Sequence, residues 1–217
     1  MSPVRPRPRS LFFATRNPGK LAELRALVDP LGLAVVGISD LPPLPEVEED
    51  GATFEENARK KALEMASASH LPCLADDSGL EVDALGGLPG VHSARYAGQG
   101  ADDQANNAKL LRALAQIPEG ERTARFTCVM AFADPHGAPG DLERSLRITH
   151  GHCQGLVLPS PRGSGGFGYD PLFYIPHLGA SFAELSKEAK NRISHRAQAL
   201  FAMQSHLLEH FHPKGQD

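Results

Sequence analysis

Tryptophan is absent from this 217-residue chain, and aromatic residues make up only 6% of it. The chain has three tyrosines and a formal net charge of −4. A protein that follows a nucleic-acid strand needs a broad basic surface with stacking aromatic side chains, so this composition argues against that class. Apolar runs fall far short of the roughly 20 residues that a membrane-spanning helix needs, so we expect no membrane partner.

Cysteine is also scarce. The three cysteines, Cys73, Cys128 and Cys153, lie at wide and irregular spacing, which argues against a disulfide framework and favours a reducing, cytoplasmic location. Residues 1–9 are rich in arginine and proline and lack an apolar targeting segment, so they predict a flexible tail. Residues 10–212, in a chain of 41% hydrophobic residues, are expected to form a single domain.

Periodic apolar patterns predict alternating strands and helices, which is typical of the α/β class. Thr53 followed by Glu56 forms a capping box at the start of a long helix. No segment is flexible enough in composition to divide the chain into independent domains. The predicted strands span 10–15, 33–38, 73–79, 123–134 and 144–155, and the predicted helices span 20–28, 53–69, 102–117 and 193–211.

Charge is unevenly distributed along the chain. Eleven acidic and three basic residues lie between positions 46 and 83. Between positions 185 and 200, by contrast, four basic residues accompany a single acidic one, Glu188. An acidic half and a basic patch in one small protein are the two features that a magnesium-bound polyphosphate would use.

The acidic half contains an adjacent pair, Asp76 and Asp77, in the stretch LADDSGLEV. Successive side chains of a strand point to opposite faces, so one aspartate can serve the fold while the other enters a site. We expect the chain to bend just after the pair, at Ser78 and Gly79. The acidic residues 48–50 end a loop, and together with the aspartates they supply the hard oxygen ligands that Mg²⁺ prefers.

The stretch TRNPGK, residues 15–20, lies between a predicted strand and a predicted helix. Free backbone N–H groups at a helix start favour an anion, and Lys20 can reach it with its charge. The stretch lacks the GxxxxGK[ST] pattern of a P-loop. A plain strand-to-helix connection capped by Asn17 remains the alternative.

A second stretch, GSGGFG at 163–168, matches GxGxxG. Pro171 follows closely and argues against the helix that a dinucleotide-binding fold requires there, so we reject that site. The bare glycine backbone beside Phe167, Tyr169 and Asp170 can instead admit a flat ring and contact its polar edge. A glycine-rich hairpin without a ligand remains the alternative.

The last predicted helix carries His195 and Arg196 near its start, after several lysines. We expect both side chains to lie off the helix's apolar stripe and so to be free to bind a ligand. A solvated helix face is the alternative. The expected stripe consists of Ile193, Ala197, Leu200, Phe201 and Leu208.

The stretch HGHC places His150 and His152 on one face of a predicted strand and Cys153 on the other. Two imidazoles alone are too few ligands for a structural zinc ion, and no nearby residue in the sequence completes its tetrahedral coordination. We therefore favour two surface histidines over a zinc site.

Five ordered blocks of the chain together resemble the inosine/xanthosine triphosphate pyrophosphatase family. The blocks are ATRNPGKLAEL, EEDGATFEENARKKA, LADDSGLEVDALGGLPGVHSARYAG, GSGGFGYDPLF and AELSKEAKNRISHRAQAL, and the likeness extends from about residue 11 to 210. The resemblance implies an elongated mixed β-sheet with flanking helices, forming two lobes around a central nucleotide-binding cleft. It also implies a homodimer that requires Mg²⁺ and hydrolyses ITP, dITP or XTP to the monophosphate and pyrophosphate.

The resemblance also implies roles for individual positions. Asp77 is implied as the proton acceptor, and Glu49 and Asp77 as the magnesium ligands. Asp76 is then structural or supports its neighbour. The residues implied to hold the nucleotide are Thr15, Arg16, Asn17, Pro18, Gly19, Lys20, Ser78, Phe167, Gly168, Tyr169, Asp170, Lys190, His195 and Arg196.

Two other classes are weighed against this one. A nucleotide sensor without catalytic activity would need the basic and aromatic residues but not the carboxylates, so the presence of both Glu49 and Asp77 argues against it. A nucleic-acid-binding protein is disfavoured by the composition described above, and a salt-dependent DNA-binding assay would test it.

Overall fold

The computed structural model describes residues 10–137 and 141–212, so the predicted flexible tail at 1–9 lies outside the described residues. The strands are β1 Ser10–Phe13, β2 Ala34–Gly37, β3 Cys73–Val82, β4 Thr123–Ala133, β5 Arg147–Val157, β6 Phe173–Ile175 and β7 Ala180–Ser181. The helices are α1 Pro18–Val28, α2 Phe54–Ser69, α3 Asp103–Ala113, α4 Lys187–Ile193 and α5 His195–Phe211. Short 3₁₀ segments connect several of these elements.

The strands form one mixed sheet in the order β2-β1-β3-β4-β5-β6-β7. β1 pairs in parallel with both β2 and β3, and the remaining neighbours are antiparallel. The predicted α/β class with a mixed sheet is therefore confirmed, while the division into two lobes stays a prediction. Within the described residues, no helix is long and apolar enough to cross a membrane.

The starts of the first two long helices follow from side-chain caps. Asn17 accepts a hydrogen bond from the backbone N–H of Lys20, and Pro18 occupies the first helical position. Because a proline has no N–H to leave unpaired there, α1 begins two residues earlier than predicted. The capping box of Thr53 and Glu56 at the start of α2 is confirmed.

The two faces of β3 are covered by different helices. Leu74 packs in a cluster with residues of α1 and α5, whereas Cys73 and Ala75 pack against α2. Asp76 therefore faces α1 and α5, and Asp77 faces α2, as the alternation of a strand requires. The predicted bend at Ser78 and Gly79 is wrong, because β3 pairs with β4 without interruption from Cys73 to Val82.

The predicted closing helix is two helices. Ser194 ends α4 and also caps α5, where its hydroxyl accepts from the N–H of Ala197. The expected apolar stripe is wrong in phase, since Phe201 is 79% exposed. The buried face of α5 instead consists of His195, Arg196, Ala199, Leu200, Met203, Leu207 and Phe211.

The HGHC stretch has a packing role in β5. A Cβ on Gly151 would lie 2.1 Å from the carbonyl oxygen of His195 and 2.4 Å from the nitrogen of Ala199, so glycine lets the start of α5 lie directly on the sheet. His150 Nε2 lies 3.2 Å from a Glu55 carboxylate, and His152 contacts a threonine hydroxyl. Within the described residues, no group of three or more His, Cys, Asp or Glu is placed to hold a metal ion.

Candidate active site

A cavity of about 290 Å³ opens where the end of β1 and the middle of β3 meet α2, α4 and the start of α5. Fourteen of the sixteen predicted site residues line it. They are Thr15, Arg16, Asn17, Lys20, Glu49, Asp77, Ser78, Phe167, Gly168, Tyr169, Asp170, Lys190, His195 and Arg196. Predicted residues that are up to 181 positions apart in the chain therefore line the same cavity.

Pro18 and Gly19, the other two predicted residues, form the first turn of α1 and do not line the cavity. Gly19 packs against the ring of Phe167, because a Cβ at that position would lie 2.6 Å from the ring. The close approach joins the 15–20 turn to the 163–168 loop, so these two predicted binding stretches are adjacent.

The 15–20 turn is organised by its own side chains. The hydroxyl of Thr15 accepts from the N–H of Asn17 at 3.1 Å, and the Asn17 side chain accepts from the N–H of Lys20 at 3.1 Å. The start of α1 thus presents the positive end of the helix dipole to the cavity. Lys20 extends across to β3, where its ammonium lies 3.1 Å from Asp76 Oδ2.

Asp76 is a buried anion among buried cations. It is 1% exposed, and its carboxylate accepts from Lys20, from Arg196 Nη2 at 3.1 Å and from the hydroxyl of Ser78 at 3.2 Å. Burial alone would raise the pKa of Asp76, but the charges of Lys20 and Arg196 outweigh burial and hold that pKa below its usual range. The carboxylate is therefore ionised and anchors both cations.

Glu23, which the sequence analysis did not identify, completes this network from α1. One of its oxygens lies 2.7 Å from Lys190 Nζ, and the other accepts from Arg196 Nη1. Lys190 also lies 2.5 Å from Asp170 Oδ2. Because Glu23 bridges two cations that line the cavity, it holds the basic end of the site to α1.

Asp77 lies on the opposite face of β3 and is 5% exposed. Its Oδ1 accepts from the N–H of Ser78 and its Oδ2 from the side-chain amide of Asn57, each at 2.9 Å. Burial raises the pKa of Asp77, although Lys20 and Lys61 oppose the shift. A carboxylate with a raised pKa beside a cavity is a suitable proton acceptor.

Glu49 is held on its loop by two cationic side chains. Lys61 Nζ lies 2.5 Å from Glu49 Oε1, and Arg95 donates to the Glu49 carbonyl at 3.0 Å. Burial alone would lower the pKa of Lys61, but the Glu49 and Asp76 carboxylates outweigh it and raise that pKa. Lys61 is therefore a charged lysine between two segments that carry carboxylates.

The donor set in this part of the cavity suits Mg²⁺. Glu49 and Asp77 are hard oxygen donors from two segments, and the cavity between them is open to a ligand. Mg²⁺ in nucleotide enzymes is characteristically held by one or two carboxylates together with substrate phosphates rather than by a cage of protein ligands.

Aromatic and basic side chains also line the cavity. The ring of His195 stacks on Phe126 with centroids 4.6 Å apart, and Lys190 Nζ lies 5.0 Å from the Phe167 centroid. Two buried nitrogens here, His195 Nδ1 and Arg196 Nε, have no hydrogen-bond partner among the described residues. Burial, reinforced by neighbouring positive charge, lowers the pKa of His195 well below its usual 6.5 and keeps the ring neutral.

The backbone of the 163–168 loop is held by α3. Gly168 has a φ of +61°, its N–H donates to Asp103 at 2.6 Å, and its carbonyl accepts from Asn107 at 2.9 Å. The hydroxyl of Tyr169 donates to the carbonyl of Ser93 at 2.9 Å. These bonds set the position of the neighbouring Phe167 ring against the cavity.

Asn57 and Lys61 on α2 were missed by the sequence analysis, although a signal was present. They lie four residues apart, within the stripe formed by Phe54, Ala58, Ala62 and Met65. A polar residue on the buried face of a helix needs a partner, and here the partners are the site's carboxylates. Glu23 carries no comparable signal, because it reads as an ordinary acidic residue on an exposed helix face.

The mixed sheet and the cavity define an α/β protein whose cleft is lined by an anion-favouring turn, two carboxylates, and aromatic and basic side chains. A model of the Ham1 family matches residues 11–206, and the chain belongs to that family. The match covers every residue that lines the cavity.

Curated relatives and solved structures agree with this assignment. The chain is 54% identical over 198 residues to a protein of Geobacter sulfurreducens named dITP/XTP pyrophosphatase, covering 91% of this chain and 96% of that protein. It is 54% identical over 190 residues to a Desulforamulus reducens protein of the same name, covering 88% and 91%. A HAM1 protein from Coxiella burnetii superimposes with a TM-score of 0.80 at 41% identity, covering 92% of this chain and 98% of the other.

Proposed function

We propose that this protein hydrolyses the non-standard purine nucleoside triphosphates ITP, dITP and XTP to the monophosphate and pyrophosphate. The observation that carries the proposal is the cavity itself, whose lining includes the cation Lys20 and the carboxylate Asp77 together with the rings of Phe167 and His195. A triphosphate and a purine need these two kinds of environment in one cleft. The names of the relatives at about 50% identity support the same substrates.

Asp77 acts as the general base in this proposal. Its carboxylate accepts a hydrogen bond from a water molecule and takes the proton as the water oxygen bonds to the α-phosphorus. The bond from the α-phosphorus to the bridging oxygen breaks, and pyrophosphate leaves with the electron pair of that bond. A positioned base of this kind contributes typically about 10²–10⁴-fold to the rate.

The lysines beside Asp77 supply fixed positive charge where charge develops. Lys20 and Lys61 both act on the Asp77 carboxylate through their charge, and Lys20 is anchored by Asp76. Because these groups are positioned before the substrate arrives, little reorganisation is needed during the reaction. The 15–20 turn holds the same phosphates through the start of α1.

Glu49 and Asp77 are the residues that would hold Mg²⁺. When bound, the ion neutralises charge on the phosphate oxygens. Asp77 is then shared between binding the ion and orienting the water.

Base selection follows from two buried donors among the residues that line the cavity. Inosine and xanthosine carry an oxygen at purine C6, where adenine carries an amino donor. The Nδ1–H tautomer of His195 and the Arg196 Nε–H are buried donors with no partner among the described residues, and a 6-oxo group can accept from them. Adenine would place a donor against a donor, which a buried site disfavours strongly.

Three further properties belong to this proposal. The family resemblance supports a homodimer, and the net charge of −4 argues against nucleic acid as a partner. The thiols of Cys73, Cys128 and Cys153 are free and buried, which is compatible with the cytoplasm.

The direct test is incubation with ITP, XTP, GTP and ATP in Mg²⁺, with the products separated. We expect ITP and XTP to yield the monophosphate and pyrophosphate. Formation of IDP and orthophosphate would contradict the assigned bond, and binding of ITP without its consumption would favour a sensor.

Base selection is tested by His195→Phe, which retains the stacking on Phe126 but removes the donor. A lost hydrogen bond to a buried group of this kind corresponds to about a 10- to 100-fold fall in the ITP-to-ATP ratio of kcat/KM. Lys20→Met is the matched control, because both nucleotides carry the same triphosphate and should weaken together. An unchanged ratio in His195→Phe would place base recognition elsewhere.

A further inference from the structure

Asn57 is a buried polar residue on an otherwise apolar helix face. It is 1% exposed, and its neighbours on the buried side of α2 are Phe54, Ala58 and Ala62. Asparagine is a weaker helix former than alanine, and an amide buried without partners would cost more still. Neither helix formation nor packing therefore explains why an asparagine occupies this buried position.

Both polar atoms of the Asn57 side-chain amide form hydrogen bonds, one to β3 and the other to the loop that carries Glu49. Its Nδ2 donates to Asp77 Oδ2 at 2.9 Å, and its Oδ1 accepts from the N–H of Gly51 at 2.8 Å. Gly51 lies two residues after Glu49, on the same loop. A single side chain thus connects β3, which carries one carboxylate, to the loop that carries the other.

The packing around Gly51 shows that this connection is close. A Cβ at Gly51 would lie 2.7 Å from Asn57 Oδ1 and 2.8 Å from the Cβ of Glu56. The Asn57 amide is therefore seated directly against the loop backbone. Arg95 also donates to the carbonyl of Glu49 on this loop, at 3.0 Å.

We propose that Asn57 is a positioning residue, which orients the Asp77 carboxylate and fixes the Glu49 loop against it, so that the two carboxylates are held at the separation one divalent cation requires. The inference rests on the proposed function, because it assigns Asn57 to the same site. Asn57 acts through Asp77 and Glu49 and contacts neither the substrate nor the cation. Partners of this kind cost about 10- to 100-fold in metal affinity or activity when they are removed.

The first measurement is of cation binding and does not depend on turnover. Mn²⁺ is titrated into the protein alone, without nucleotide, and free Mn²⁺ is followed by electron paramagnetic resonance. We expect Asn57→Ala to raise the Mn²⁺ dissociation constant by about tenfold or more. The control is Thr149→Val, which deletes a buried hydrogen bond to the Ala199 carbonyl and touches neither carboxylate. It should leave the constant unchanged.

The second measurement asks whether Asn57 acts through Asp77. With ITP as substrate, Asn57→Ala should lower kcat by about tenfold or more and change KM for ITP less than about twofold. In an Asp77→Asn background the same substitution should lower kcat by a clearly smaller factor, because one of the two carboxylates that it positions is gone. Equal losses of kcat in both backgrounds would overturn the inference.

Two outcomes separate this inference from the proposed function. If the wild type consumes no ITP, the proposed function fails, and the Mn²⁺ titration still decides whether Asn57 supports a cation site. A wild-type Mn²⁺ constant in Asn57→Ala would overturn the inference while leaving the proposed function intact. Circular dichroism checks folding, and Asn57→Ser replaces the alanine variant in both measurements if alanine unfolds the protein.

Discussion

Replacing Asp76 by asparagine should destabilise the protein more than any substitution in a surface ion pair. The change preserves the size of the side chain but removes the charge that Lys20 and Arg196 share. It also sets an amide donor against their donors. Arg196 retains Glu23 as a partner, and Lys20 is 17% exposed and can turn partly to water.

The expected magnitude follows from burial. Removing one partner of a buried ion pair costs about 3–5 kcal/mol, and the relief available to Lys20 and Arg196 favours the lower end, about 3 kcal/mol. In a protein of this size each kcal/mol corresponds to roughly 2–4 °C, so the melting temperature should fall by about 6–12 °C. Proteins typically unfold with a free energy of about 5–15 kcal/mol, so a loss of about 3 kcal/mol leaves the variant folded at room temperature over most of that range.

The assay is guanidinium denaturation followed by circular dichroism, with Glu143→Gln as the control. Glu143 pairs with Arg59, and the two side chains are 63% and 44% exposed, so that loss should stay below about 1 kcal/mol. A free-energy loss in Asp76→Asn no larger than in Glu143→Gln would refute the reasoning that the buried network stabilises the fold.

The dependence on pH gives a second check of Asp76→Asn. The pKa of Asp76 is lowered in the folded state from the ordinary 3.8, so its contribution to stability is complete above that value. The contribution is lost as the pH falls below 3.8 toward the folded-state pKa. The difference between wild type and variant should therefore be full at pH 7 and begin to narrow only below about pH 4.

Three other predictions test different parts of the site. Asp77→Asn should lower kcat for ITP by about 100-fold or more, because the proton acceptor is removed. The melting temperature should not fall, because burial already disfavours the charged carboxylate. Near wild-type turnover would place the base elsewhere. The pKa of His195 is lowered from 6.5 in the folded protein, so its contribution to stability is complete above pH 6.5 and is lost as the pH falls below that value. Between pH 7.5 and 5.0, the melting temperature of His195→Phe should therefore fall less than that of the wild type. Equal falls in melting temperature would contradict a neutral buried ring. Gly151→Ala should lose about 1–3 kcal/mol in denaturation and lower activity by displacing the start of α5, whereas Gly120→Ala, whose Cβ meets no atom within 4 Å, should do neither.

Local features of this protein were predictable because short-range rules decide them. The capping box at the start of α2 depends on two residues three positions apart, and the alternation that sends Asp76 and Asp77 to opposite faces is a property of any strand. The parallel pairing of the first two strands follows from the helix between them. Fourteen of the sixteen residues that the five sequence blocks implied line the cavity, although their individual roles stay predictions.

The local sequence pattern gave a wrong prediction of which face of α5 is buried. On α5 the sequence offers Phe201 as the most conspicuous apolar residue, and a stripe drawn through it leaves Arg196 outside. The structure buries Arg196 and exposes Phe201, because Glu23 and Asp76 neutralise the guanidinium from two other elements. A charged residue becomes a core residue only when such partners exist, and a single helix's pattern does not contain them.

The tertiary structure alone decided which carboxylate anchors and which one is available for chemistry. Asp76 meets Lys20 from 56 positions away and Arg196 from 120 positions away, whereas Asp77 meets the neutral amide of Asn57. The sequence places the two aspartates side by side with the same intrinsic acidity. Opposite faces of one strand give them different neighbours, and those neighbours lower the pKa of one and leave burial to raise the pKa of the other.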